Sequence, residues 1–144
     1  MKLRLKTIRK INNYSQKDMA KILDVTQRTY SKYESGELTL KIEQLIILRN
    51  FYKVSADYML GLIDKDRNKV TPKKFDYEIL INNLRYLRYE NNYSQKELSV
   101  LLNCSPSLIS MIERKQSNVQ IDMLVLLAKT YNVTVDSLLF SDDE

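Results

Sequence analysis

Apolar residues recur along this chain at intervals of three and four, and the pattern breaks at a few regular places. Leu3, Leu5, Ile8 and Ile11 lay a stripe along one face of a first helix. The stripe stops at Tyr14-Ser15. Ser15 stands three residues before Asp18, the cap-plus-acid signature of a new helix. The second helix carries Met19, Ala20, Ile22 and Leu23. Asp24 follows, a residue type that tolerates a left-handed backbone, so a tight turn is expected there with Val25 pointing inward. Thr26 caps a third helix, Tyr30 and Tyr33 face the core from it, and Gly36 ends it. A fourth helix gathers Ile42, Leu45, Ile46 and Leu48 on one face. A short fifth, capped by Ser55, carries Tyr58, Met59 and Leu60. Only two prolines and two glycines interrupt 144 residues, so a mostly helical chain is expected.

The pattern then starts again. Asn-Asn-Tyr-Ser-Gln-Lys occurs at 12–17 and at 91–96, an offset of 79. Held at that offset without gaps, Leu5–Gly61 lies over Leu84–Phe140, and 18 of the 57 pairs are identical. A match that long means one domain used twice, since stacked solenoids need three or more shorter units. The expected domains are 1–62 and 77–140, with a charged linker over 63–76 and an acidic tail over 141–144. A freely extended linker of ~14 residues, at roughly 3.3 Å each, reaches about 45 Å. Within each unit the second and third helices, joined by three or four residues, form a helix-turn-helix pattern. Ala20, and Ser99 in the second copy, stay small where those helices cross.

Composition narrows the function by exclusion. There is no histidine, so Ser-His and Cys-His catalysis and the commonest metal ligand are absent. The single Cys104 makes neither a zinc cluster nor an intrachain disulfide, and it aligns with Val25 as a small core residue. No Gly-rich phosphate cradle is present, no motif calls for a cofactor, and an enzyme is not expected. No stretch approaches the ~20 apolar residues of a membrane span, and a cytoplasmic protein is the default. The net charge of +5 hints at an anionic partner. It is unevenly spread: residues 1–62 carry +6, residues 63–77 carry +2 and residues 78–144 carry −3.

The stretches Ser-Gln-Lys-Asp-Met-Ala-Lys-Ile-Leu-Asp-Val-Thr-Gln-Arg-Thr-Tyr-Ser-Lys-Tyr-Glu-Ser-Gly (15–36) and Ser-Gln-Lys-Glu-Leu-Ser-Val-Leu-Leu-Asn-Cys-Ser-Pro-Ser-Leu-Ile-Ser-Met-Ile-Glu-Arg-Lys (94–115) resemble the Cro/lambda-repressor-like family. That family is also called the xenobiotic-response-element helix-turn-helix family. The resemblance implies an all-α chain of two tandem five-helix domains, binding to double-stranded DNA, and transcriptional repression. It implies that Gln16, at the start of the second helix, contacts a phosphate, a task suited to an amide beside helix N-terminal N–H groups. It places Thr26, Gln27, Arg28, Thr29 and Lys32 at base-facing or phosphate-facing positions. Gln pairs bidentately with adenine, and Arg or Lys pairs with guanine N7 and O6. Arg9 with Glu34, and Arg88 with Glu113, match a family ion pair that belongs to the scaffold. In the second unit the corresponding DNA-binding positions are Gln95, Ser105, Ser107, Met111 and Lys115.

The second unit departs at the reading face. Gln27, Arg28, Thr29 and Lys32 become Pro106, Ser107, Leu108 and Met111, and Gly36 becomes Lys115. Both positive charges of that face are gone, though Lys115 can still touch a phosphate, and Leu108 and Met111 can meet thymine methyls. The same apolar side chains also suit a protein partner. Two readings follow: a DNA-binding regulator led by the first unit, with the second a weaker reader or pairing module; or an antitoxin or adaptor whose second unit binds a partner protein. Family members usually bind as dimers on half-sites ~34 Å apart. A homodimer and a protein partner of the second domain are therefore both left open.

Overall fold

The structure is a computed structural model that describes residues 3–66 and 69–141. Residues 142–144, most of the expected acidic tail, lie outside the described residues. The described residues are all-α, without a strand. The chain divides into two compact units, Met1–Lys73 and Lys74–Glu144. Unit 1 consists of α1 (Leu5–Ile11), α2 (Gln16–Ile22), α3 (Gln27–Ser35), α4 (Ile42–Tyr52) and α5 (Ala56–Met59). Unit 2 repeats the order with α6 (Tyr77–Glu90), α7 (Gln95–Leu102), α8 (Pro106–Glu113), α9 (Ile121–Tyr131) and α10 (Val135–Leu139).

Local chemistry sets the helix starts. The Ser15 hydroxyl accepts from the Asp18 amide at 3.0 Å while the Asp18 carboxylate accepts from the Ser15 amide at 2.8 Å. Ser94 and Glu97 form the same capping box at 3.0 Å in both directions. Those bonds from the serine hold the carboxyls of Asp18 and Glu97 below their ordinary values. Thr26 and Ser105 cap α3 and α8 through the amides of Thr29 and Leu108. Pro106 occupies the first turn of α8, where a missing N–H costs nothing.

Turns are set by four left-handed positions that recur at the repeat offset. They are Asn13 and Asn92, Asp24 and Asn103, Gly36 and Lys115, and Lys53 and Asn132, with φ between 53° and 84°. Asn and Asp visit this region at modest cost, glycine at none, and lysine at the most.

Each core lies between the first helix of its unit and the helices that follow. Leu5, Met19, Tyr30, Leu45, Leu48 and Met59 are at most 1% exposed in unit 1. Each such large side chain contributes ~1.5–3 kcal/mol when removed from water. Ala20 and Ser99 are both nearly fully buried. There α2 packs on α3 and α7 on α8, and a small side chain lets the helices approach.

Three expectations need correction. Ile11 does not join the α1 stripe; it is 68% exposed, and Arg9 takes the inward position instead. At 100° per residue, Ile11 falls more than a quarter-turn from the direction shared by Leu5, Ile8 and Arg9. Val25 and Cys104 are half-buried rather than inward, because they sit in the turn itself. Burial raises the Cys104 thiol pKa.

In the stretch expected to link the units, several residues are held on unit 1. The Arg4 guanidinium donates to the carbonyls of Tyr58 at 2.6 Å and Ile63 at 2.5 Å, and lies 3.8 Å from the Asp64 carboxylate. Further on, the Val70 amide donates to the Lys53 carbonyl at 3.2 Å, and Lys73 is bound to Asn50.

Candidate nucleic-acid interface

In unit 1 the turn between α2 and α3 is tight because its amides fold back onto α2. Asp24 N–H donates to the Lys21 carbonyl at 3.2 Å and Val25 N–H to the Ala20 carbonyl at 2.9 Å. Tyr30 and Tyr33 bury one side of α3, and Gln44 of α4 donates to the Tyr33 hydroxyl at 3.1 Å. The opposite side carries the residues expected to read DNA. Thr26, Gln27 and Arg28 are exposed, and Thr29 and Lys32 are partly exposed. Among the described residues no ion pair engages Arg28 or Lys32. Both cations therefore face solvent available for an anionic partner. Thr26 is less available: its hydroxyl accepts from the Thr29 amide and donates to the Thr29 hydroxyl at 3.0 Å.

Behind this face stands a network centred on Glu34. Arg9 grips it with two parallel bonds, Nε to Oε2 at 2.7 Å and Nη2 to Oε1 at 3.1 Å. Its Nη1 also donates to the Tyr14 carbonyl at 3.0 Å. The pair thus ties α1 to the end of α3 and to the turn before α2. The Arg9 and Glu34 side chains are 10% and 5% exposed. Burial works against the ionised Glu34. Hydrogen bonds from Arg9, Tyr30 and Gln16 outweigh it and hold the carboxyl below its ordinary value. The bond to Glu34 likewise raises the Arg9 pKa against the opposing cost of burial.

Gln16 is brought into this network, a placement that pattern alone did not suggest. Its Nε2 donates to Glu34 Oε1 at 3.2 Å. A side-chain amide has two N–H groups, so one is spent on Glu34 and one is left. Glu34 therefore fixes which way the remaining N–H points.

Unit 2 keeps this arrangement. Arg88 meets Glu113 at 2.7 Å and 2.8 Å, Arg88 Nη1 donates to the Tyr93 carbonyl at 2.9 Å, and Gln95 donates to Glu113 Oε1 at 3.3 Å. Arg85 adds a bond to the Glu113 carbonyl. The outer face of α8 differs. Ser105, Pro106 and Ser107 are exposed, Leu108 is half-buried and Met111 is 38% exposed. The Lys115 ammonium is paired with Glu78 at 3.0 Å. Both partners are largely exposed, and such a pair contributes little. Val100 and Leu101 of α7 are 75% and 50% exposed, an apolar surface that periodicity did not single out. The repeat offset could have flagged it, since Val100 stands where unit 1 has Lys21.

The geometry is that of a helix-turn-helix unit built twice, and comparison with known proteins agrees. A family model described as Helix-turn-helix matches residues 5–59 and again 84–138. The chain belongs to this helix-turn-helix family of non-enzymatic, DNA-binding transcriptional regulators, in its lambda-repressor-like branch. It is 40% identical over 62 residues to the control protein C.SmaI of Serratia marcescens, covering 43% of this chain and 74% of that protein. It is 33% identical over 101 residues to YonR of Bacillus subtilis, an uncharacterized prophage-derived regulator, covering 69% of this chain and 86% of the relative. It is 28% identical over 102 residues to the phage transcriptional repressor RstR of Vibrio cholerae, covering 71% and 83%. No described helix is long and apolar enough to cross a membrane.

Proposed function

We propose that the protein is a cytoplasmic, sequence-specific repressor in which unit 1 is the main reader of the major groove. Gln27, Arg28 and Lys32 contact base edges, while Gln16, Thr26 and Thr29 contact the backbone and set register. The observation that carries this reading is the pair of cations on α3 without an ion-pair partner, Arg28 exposed and Lys32 partly exposed, together with a Gln16 amide oriented by Glu34. Unit 2 is a weaker reader through Gln95, Ser105, Ser107, Met111 and Lys115, because α8 offers no free cation of its own. Binding is as a homodimer presenting two first units to half-sites about one helical turn apart.

Selection of bound sequences from a random DNA pool, with the whole chain and with each unit, tests the assignment. Unit 1 is expected to enrich the same half-site as the whole chain. No enrichment by either, at moderate salt, overturns it. Arg28→Ala is expected to relax preference at one base position, at a cost of about 1–3 kcal/mol there. Gln16→Ala is expected to weaken all sequences alike.

A second reading is supported by the exposure of Val100, Leu101 and Met111: unit 2 pairs with a protein, as an antitoxin or adaptor does. Co-purification of a stoichiometric partner through unit 2 supports it; a clean homodimer of this chain from its native host argues against it.

A further inference from the structure

We propose that residues 70–73 form a strap latched to α4 by Asn50, and that this latch sets the length of the tether between the two units. Asn50 treats Lys73 as a neighbouring strand would. Its Nδ2 donates to the Lys73 carbonyl at 2.8 Å, and its Oδ1 accepts from the Lys73 amide at 3.1 Å. A primary amide side chain carries a donor and an acceptor side by side, as a backbone peptide group does. Arg49, buried on the same turn of α4, donates through Nη1 to the Thr71 carbonyl at 3.1 Å and to Asn50 Oδ1 at 2.7 Å. That second bond orients the Asn50 amide. Upstream, the Val70 amide closes on the Lys53 carbonyl at the end of α4. Pro72, between the two bound residues, brings no N–H that would need a partner.

The latch belongs to unit 1 alone. At the repeat offset Ala128 and Lys129 stand for Arg49 and Asn50; Ala128 has no polar group and Lys129 no acceptor, so neither can make the two-way bond of Asn50. Both residues sit late in α4, on a different helix from the α3 reading face.

The consequence is a matter of chain length. Downstream of Lys73 the chain is soon committed to unit 2. The Phe75 ring packs edge-on to Tyr77 at 5.4 Å, and Asp76 caps α6 through the Glu78 amide at 2.9 Å. With the strap docked, Lys73 and Tyr77 are at most about 14 Å apart along the chain. With it released, the nearest upstream anchor is Asp66, whose carboxylate accepts from the Ser55 amide at 3.5 Å, and the reach grows to about 37 Å. A latched chain therefore leaves only a short tether between the two units, whether or not unit 2 touches DNA. A polar, Pro-containing linker read as freely extended permits far more.

Two measurements on the full chain test this. By hydrogen exchange, the Lys73 amide is expected to be protected at least tenfold relative to an unstructured peptide, and Asn50→Ala is expected to abolish that protection. In a Cys104→Val background, spin labels at Lys21→Cys and Lys129→Cys report the distance between units. Asn50→Ala is expected to broaden that distribution and extend it to longer distances. Lys73→Pro removes the same amide donor from outside any helix, and it is expected to do likewise should the α4 variant fold poorly. An unprotected Lys73 amide in the unaltered chain, or distance distributions that neither substitution changes, overturns the proposal.

Discussion

Glu34 shows how much one buried carboxylate organises here. It receives Arg9, Tyr30 and Gln16, so it joins α1, α3 and the start of α2 at a single point. Glu34→Gln leaves the Arg9 guanidinium buried without its counter-charge. It is expected to destabilise unit 1 by about 3 kcal/mol, read as a lowered unfolding midpoint. The pH dependence follows from the direction of the shift. A carboxyl held below its ordinary value of 4.5 contributes stability that is complete above that value. That contribution is lost as pH falls through the lower folded value. Thermal melts of the unaltered chain are expected to weaken progressively below pH 4.5, and Glu34→Gln is expected to flatten this part of the profile. The tyrosines near these networks stay neutral throughout, since burial raises Tyr30 and Tyr52 and pushes Tyr131 up to about 12. The Arg9–Glu34 partnership could be read from the family pattern. The recruitment of Gln16 could not, because a polar side chain leaves no periodic trace of its partner.

At the scale of the element, turn chemistry was the most legible part of the chain. Ser15, Thr26, Ser55, Ser94 and Ser105 all cap helices, and Asp24 and Asn103 turn left-handed where their residue types suggest. Such signals are local, so few competing contacts can override them. Ile11 is exposed although three apolar residues at helical spacing invite a fourth. Its counterpart Glu90 already marked that position as exposed. The turn after the third helix offers a mirrored pair of tests. Gly36 has φ 84° and nothing within 4 Å of an added Cβ, so Gly36→Ala meets no clash. It carries only the left-handed backbone cost, about 1 kcal/mol of destabilisation. Lys115 occupies the same turn at φ 62°, so the same geometry is held there by a residue that bears a strain glycine does not. Lys115→Gly is expected to stabilise unit 2 by about 0.5–1 kcal/mol, less the small loss of its exposed pair with Glu78. Denaturant melts of the two variants should move in opposite directions.

At the scale of the whole molecule the two units have one scaffold and unlike surfaces. The repeated fold could be read from the 79-residue offset, because capping, core and ion-pair residues were retained together. The strap could not, because its bonds join Asn50 and Arg49 to backbone atoms that any sequence provides. The surfaces lead to a quantitative expectation about DNA. Residues 1–62 carry a net +6 and display free cations on α3, whereas α8 displays none and Lys115 is already paired. Each phosphate contact adds about 0.9 to the slope of log affinity against log salt. If unit 1 makes nearly all such contacts, the full chain and a fragment spanning residues 1–76, which retains the strap, should share one slope per bound unit within about 1. A steeper slope for the full chain means that unit 2 contacts phosphates. Repeating the titration with Lys115→Ala then separates the causes: a slope that falls back assigns the extra contact to Lys115, and an unchanged slope assigns it elsewhere on unit 2. Equal slopes with higher affinity for the full chain have a different meaning. The second unit then contributes through apolar contact or pairing, which salt does not screen, and the exposed Val100, Leu101 and Met111 become the residues to substitute next.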